Sequence, residues 1–133
     1  MANLRLPLEG VRIATIELVY AGPFGTQMLA NLGAEVIMVE SIHYRPVASR
    51  PGNIPPSLLE IPGGLRYFHD KDIDTPGLWN RGGAFNSKHF NKLSCTIDLT
   101  RPEGKEVFRR LIEKCDVFFE NNSATTIERL GLT

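Results

Sequence analysis

The chain has 133 residues with 15 basic and 15 acidic side chains, and so no formal net charge. That balance gives no general electrostatic footprint for nucleic acid. No apolar run approaches the ~20 residues needed to cross a bilayer, and the start, Met1-Ala2-Asn3, lacks the basic and apolar regions of a secretory signal.

The first element in chain order is a strand over Arg12–Glu17, followed by a Gly/Pro turn, Ala21-Gly22-Pro23-Phe24-Gly25. A short helix over Thr26–Leu32 comes next, with Gly33 at the C-terminal cap, and then a second strand over Glu35–Glu40. Both strands carry β-branched and apolar runs, as strands buried on two faces do. The whole has the size and order of one βαβ unit, and in open α/β sheets the loop after the first strand faces the ligand crevice. Val19, Tyr20 and the Gly-Pro turn are therefore expected at a binding site.

From Ser41 to about Phe90 the pattern breaks. This stretch holds six of the nine prolines and six of the twelve glycines, and it reads as a long loop insertion. From Ser41 to Lys92, seven basic residues (Arg45, Arg50, Arg66, Lys71, Arg81, Lys88, Lys92) face four acidic ones (Glu60, Asp70, Asp72, Asp74), so the segment is +3 and the remainder −3. Such a segment suits an anionic ligand, although solvated loop charges give the same pattern. Trp79, Phe85 and Phe90 read as aromatics that pack the loop down.

Regular patterning resumes with a strand over Leu93–Leu99, in which Cys95, Ile97 and Leu99 alternate with polar residues. Thr100-Arg101-Pro102-Glu103 fits a capping box for a helix to Lys114, with Val107, Phe108, Leu111, Ile112 and Cys115 on one face. Asp116–Glu120 reads as a fourth, buried strand, and Ala124–Leu130 as a short helix stopped by Gly131. The fold class is α/β, an open, mostly parallel Rossmann-like sheet with its four strands in one sheet. Four strands and so few helices leave apolar sheet surface uncovered, which marks the fold as incomplete.

Familiar site chemistries fit poorly. The turn is not Gly-x-Gly-x-x-Gly, although Glu40 ends the second strand where a ribose-binding acid would stand. His43, His69 and His89 are widely separated and read as loop histidines without metal-ligand spacing. No nucleophile elbow surrounds any serine or cysteine. Asp98 and Asp116 read as strand-end and turn residues. Cys95 and Cys115 are lone thiols suited to a reducing compartment, and the expected location is the cytoplasm.

Three blocks, PLEGVRIATIELVYAGPFGTQMLANLGAEVIMVE, FNKLSCTIDLTRPEGKEVFRRLIEKCDVFFEN and IERLGL, resemble in order and spacing the class III CoA-transferases. That family includes the formyl-CoA, carnitine and bile-acid CoA-transferases. The resemblance implies that residues 1–133 are the N-terminal part of a larger domain, with the insertion at about 41–90. It implies transfer of CoA from an acyl-CoA donor to a small free carboxylic acid through an aspartyl covalent intermediate, without a metal, in an interlocked homodimer. The nucleophilic aspartate falls outside the matched blocks, so no catalytic residue is assigned here.

The same resemblance assigns CoA contacts to Val19, Tyr20, Arg45, Lys92, Asn121 and Arg129. Tyr20 stands where some members have glutamine, Ser41 where members often carry arginine, and Asn122 where they have phenylalanine. Two other readings stay open: an acyl-CoA racemase or epimerase of the same superfamily, and a non-catalytic binding or interaction module.

Overall fold

A computed structural model describes residues 5–41, 43, 80 and 82–132. Its elements run β1 (Arg12–Ile16), α1 (Ala21–Asn31), β2 (Glu35–Glu40), α2 (Gly83–His89), β3 (Leu93–Thr96), α3 (Pro102–Ile112), β4 (Val117–Glu120) and α4 (Ala124–Leu130). The four strands form one sheet in the order β3-β2-β1-β4. Every pairing is parallel, as the apolar strands and intervening helices predict. No helix among the described residues is long and apolar enough to cross a membrane.

The core forms where α1 lies on the sheet. Ile13 of β1, Val36 of β2 and Ala30 and Ala34 from the end of α1 and its exit make one buried cluster, with Leu29 and Phe119 packed against it. Small residues on α1 allow close approach to the strands. Behind the sheet, Phe108 of α3 is fully buried and meets Phe118 of β4 edge to face, with ring centroids 5.5 Å apart.

α1 begins five residues earlier than the sequence pattern suggests, so the Gly-Pro segment is its first turn and not a separate loop. The reason is the position of Pro23, third in the helix, where a backbone N–H has no intrahelical acceptor and its absence costs nothing. The first bond, from Phe24 N to the Tyr20 carbonyl at 2.9 Å, already closes that turn. Gly33 leaves the helix with a φ of 105°, in line with its reading as a cap.

The expected capping box at Thr100 does not form. Arg101 is the N-cap of α3 and makes no side-chain cap bond, with Pro102 opening the helix. The Thr100 hydroxyl and N–H both donate to Asp98 Oδ1, at 2.6 and 3.0 Å, so the carboxylate takes the group that the cap would have used. Val107, expected on the inner face of α3, is 52% exposed. β3 stops at Thr96, because Asp98 starts this turn, and β4 is a half-exposed edge strand and not a buried one.

The Pro/Gly-rich segment ends in regular structure that its composition did not suggest: α2 covers Gly83–His89 and packs beside α1. Trp79 and Arg45 lie outside the described residues. Phe85 is buried and stacks on His89 with ring centroids 4.1 Å apart, as a packing role requires. Phe90, expected to pack likewise, is 54% exposed.

Candidate functional site

The strand order places the site. From β1 the chain moves outward through β2 to β3, then returns across the sheet to set β4 on the other side of β1. The carboxyl ends of β1 and β4 therefore flank a topological switch point, where open α/β sheets form their ligand crevice. A cavity of about 540 Å³ opens there, with walls that include Ile16–Val19, Glu40, His43, Thr100 and Asn121–Ser123.

At the exit of β1 the backbone reverses sharply. Val19 has a φ of 64°, in the left-handed region, which is an outlier for a β-branched residue. Such a conformation costs on the order of 1–3 kcal/mol and persists only when its surroundings fix it. Asn121, just past β4, does that fixing. Its Oδ1 accepts from Leu18 N at 2.8 Å, and its Nδ2 donates to the Leu18 carbonyl at 2.9 Å. The side chain thus continues the β1–β4 pairing by one residue. Asn122 adds a bond from Nδ2 to the Ile16 carbonyl at 3.1 Å.

This clamp explains Gly22. A Cβ on Gly22 would sit 2.6 Å from both Cγ and Oδ1 of Asn121. Gly22→Ala is accordingly expected to push Asn121 off Leu18 and cost about 1–3 kcal/mol, the usual range for overpacking. Denaturant unfolding of the full-length protein measures it. A neutral or stabilising substitution would mean that the clamp does not govern this turn.

Beneath the crevice lies a buried ionic cluster. Glu17, 5% exposed, accepts from Thr26 Oγ1 at 2.5 Å, Lys92 Nζ at 2.6 Å and Thr15 Oγ1 at 3.1 Å. Lys92 Nζ also donates to the Pro23 carbonyl at 2.8 Å and to Thr26 Oγ1 at 2.7 Å, so its three protons have three acceptors. His89 Nδ1 stands 3.4 Å from Glu17 Oε1. One carboxylate thus joins the end of β1, the second turn of α1, α2 and the residue that precedes β3.

Burial by itself would raise the Glu17 carboxyl, but hydrogen bonds from His89, Lys92 and Thr26 outweigh it and hold the group below its ordinary value. Burial pushes the His89 imidazole down, with Glu17 opposing, so that it sits neutral. Both shifts have the same consequence for stability. Below the ordinary histidine value the unfolded chain takes up a proton that folded His89 resists, and Glu17 repeats this at lower pH. Stability is therefore expected to fall as pH drops from about 7 to about 5, and His89→Gln should flatten that decline. Urea midpoints across this range check it; a rise in stability on acidification would contradict the assignment.

On the β2–β3 side of the cavity, His43 Nε2 lies 3.0 Å from Asp98 Oδ2, and His43 N donates to Ser41 Oγ at 3.0 Å. The Thr100 bonds first, and then His43, hold the Asp98 carboxyl down to about 2.

Of the expected contacts, Val19 and Asn121 line the cavity. Tyr20 is the N-cap of α1, 62% exposed, with its ring 4.7 Å below Lys88 Nζ. Arg129 is exposed in the last turn of α4. The Lys92 side chain is 1% exposed and points into the Glu17 cluster behind the cavity wall. His43 and His89 are not the isolated loop histidines that their spacing suggested, since each faces a carboxylate. Glu17, a charged residue closing an apolar strand just before the Gly-Pro turn, was the one visible sign of the cluster.

Comparisons with known proteins agree with this geometry. The sequence profile of CoA-transferase family III matches residues 8–133. A bile acid CoA-transferase of Clostridium scindens is 32% identical over 126 residues, covering 95% of this chain and 22% of that protein. A formyl-CoA:oxalate CoA-transferase of Bradyrhizobium is 38% identical over 125 residues, covering 93% of this chain and 24% of the relative. The chain thus spans less than a quarter of the length of these two relatives. Among solved structures, a CAIB/BAIF family protein from Brucella suis superposes with a TM-score of 0.70 at 28% identity, covering 98% of this chain and 29% of that one.

Proposed function

The chain belongs to CoA-transferase family III, and from that membership we propose that the full-length protein moves CoA from an acyl-CoA donor to a small free carboxylic acid. The observation that carries this reading is the family match over residues 8–133 joined to a crevice at the β1/β4 switch point. Residues 1–133 supply part of the CoA site. The nucleophile is an aspartate elsewhere in the protein.

The proposed chemistry needs one carboxylate. Its oxygen attacks the thioester carbonyl, the C–S bond breaks, and CoA thiolate leaves an acyl-aspartyl anhydride. The thiolate then attacks the aspartyl carbonyl, releasing the donor acid and leaving an aspartyl-CoA thioester. The acceptor carboxylate reverses both steps and departs as its CoA thioester. No step draws on a metal.

Within this reading, Val19 and Asn121 border the CoA chain, and Tyr20 offers an aromatic face at the rim. α1 opens at the crevice with no acidic residue in its first turn, which suits an approaching phosphate. Arg45 and Arg129 are proposed as outer phosphate contacts. Lys92 is proposed to act indirectly, by holding Glu17 and the first turn of α1 in place. The free thiols Cys95 and Cys115 suit a cytoplasmic enzyme. The exposed stripe Tyr20, Phe24, Met28 and Leu32 on α1 suits burial by further chain or by the second subunit of a homodimer.

The test is to incubate the full-length protein with a panel of acyl-CoA donors and carboxylic acids, following new CoA thioesters by mass spectrometry. A new thioester, with CoA found covalently on an aspartate, is the expected result. Exchange of the proton α to the thioester without CoA transfer would replace this reading with racemisation. Absence of all CoA binding would replace it with a non-catalytic module.

A further inference from the structure

The two asparagines that follow β4 do different things. Asn122 bonds the carbonyl of Ile16, the last residue of β1, whereas Asn121 grips Leu18, two residues beyond that strand. The Asn121 amide meets both the N–H and the carbonyl of Leu18, as a residue of a neighbouring strand would. Next in the chain is Val19, which has a φ of 64° and lines the cavity. On the other side, Gly22 in the first turn of α1 lies so close to the amide that only a hydrogen fits between them. One side chain therefore ties together the exits of β1 and β4 and the start of α1, which border the crevice.

Val19 does not favour its conformation unaided. A β-branched residue with positive φ is an outlier, and without a restraint the extended conformation wins in most molecules. The clamp shifts that balance. A ligand seated on this turn binds only the held state, so its affinity falls with the fraction of molecules in which the turn is relaxed. Both amide bonds lie in exposed positions at the cavity wall. A ligand that covers them excludes competing water and strengthens them. Clamp and ligand thus stabilise each other.

We propose that Asn121 is a positioning residue for CoA binding: its amide acts through Leu18 to hold Val19 in the left-handed turn on which CoA rests. Its contribution to affinity is the population of that turn and not a contact of its own. The inference rests on the CoA reading of the crevice. Loss of the clamp leaves the turn populated only as its strain allows, which weakens CoA binding by about five- to 150-fold. The same factor should appear in KM for acyl-CoA with kcat little changed, because the turn holds ground state and transition state alike.

The experiment is a double-mutant cycle in the full-length protein, with CoA affinity read by calorimetric titration. Its members are the unmutated protein, Asn121→Ala, Val19→Gly and the double variant. Glycine takes positive φ about as readily as negative φ, so in the Val19→Gly background the turn no longer depends on the clamp. The expected result is the full loss from Asn121→Ala when Val19 is present, and a loss of only about two-fold in the Val19→Gly background. Whatever the Val19 side chain itself gives CoA cancels in this comparison. Equal losses in the two backgrounds would mark a direct contact by Asn121 and overturn the proposal. A lower thermal midpoint in Asn121→Ala with CoA affinity unchanged would overturn it as well. Either outcome leaves CoA binding in the crevice standing. Should Asn121→Ala fail to fold, Asn121→Asp takes its place in the cycle, keeping the acceptor for Leu18 N and losing the donor to the Leu18 carbonyl. Failure of the unmutated protein to bind CoA would overturn the CoA reading and this inference together.

Discussion

Lys92→Met is expected to cost about 3–5 kcal/mol of stability, the range for removing one partner of a buried ion pair. Methionine nearly preserves the volume but leaves Glu17 with its charge buried and its 2.6 Å partner gone. The Pro23 carbonyl and Thr26 hydroxyl each lose a donor as well. Because those groups lie in the first turns of α1, the loss should also loosen the crevice. Urea unfolding of the full-length protein measures the effect. The double variant Glu17→Gln with Lys92→Met should cost less than the sum of the two single changes, since the stranded charge is then removed. If Lys92 instead met CoA directly, Lys92→Met would weaken CoA binding with little loss of stability, and that outcome would reject the buried-pair account.

Gly104→Ala is expected to destabilise, against the trend for helices. Alanine in place of glycine inside a helix ordinarily gains roughly 1 kcal/mol. Here a Cβ on Gly104 would lie 1.9 Å from the Asp98 carbonyl oxygen and 2.7 Å from its carbon. The obstacle is backbone, so no side chain can swing aside and α3 must shift as a unit. Overpacking of this kind costs about 1–3 kcal/mol. The same residue, Asp98, holds Thr100 and His43, so the shift should reach the cavity rim and weaken ligand binding too. A thermal midpoint at or above that of the unmutated protein would show that α3 does not approach Asp98 this closely.

The elements most legible in the sequence were those with local causes. The bounds of β2 and α4 follow directly from an unbroken apolar run and from a glycine stop. All four strands are parallel, as the strand–helix–strand rhythm required. Errors arose where two local signals competed. Gly22 and Pro23 look like a turn yet are tolerated in a first helical turn, and Thr100 looks like a cap yet gives its hydroxyl to Asp98.

The site was less legible because its contacts are distant in sequence. Glu17 and Lys92 are 75 residues apart, and His43 and Asp98 are 55 apart. No local pattern pairs them. The family resemblance pointed to Val19 and Asn121, and both line the cavity. What it could not convey was that Asn121 spends its side chain on Leu18, holding a strained turn, and that Lys92 faces inward.

The central claim is that the carboxyl ends of β1 and β4 cradle CoA, and a crystal structure of the full-length protein soaked with CoA tests it most directly. The account predicts CoA lying across Val19 and the first turn of α1, with Asn121 still clamped on Leu18. CoA bound away from this crevice, or a crevice filled by other parts of the protein, would contradict it.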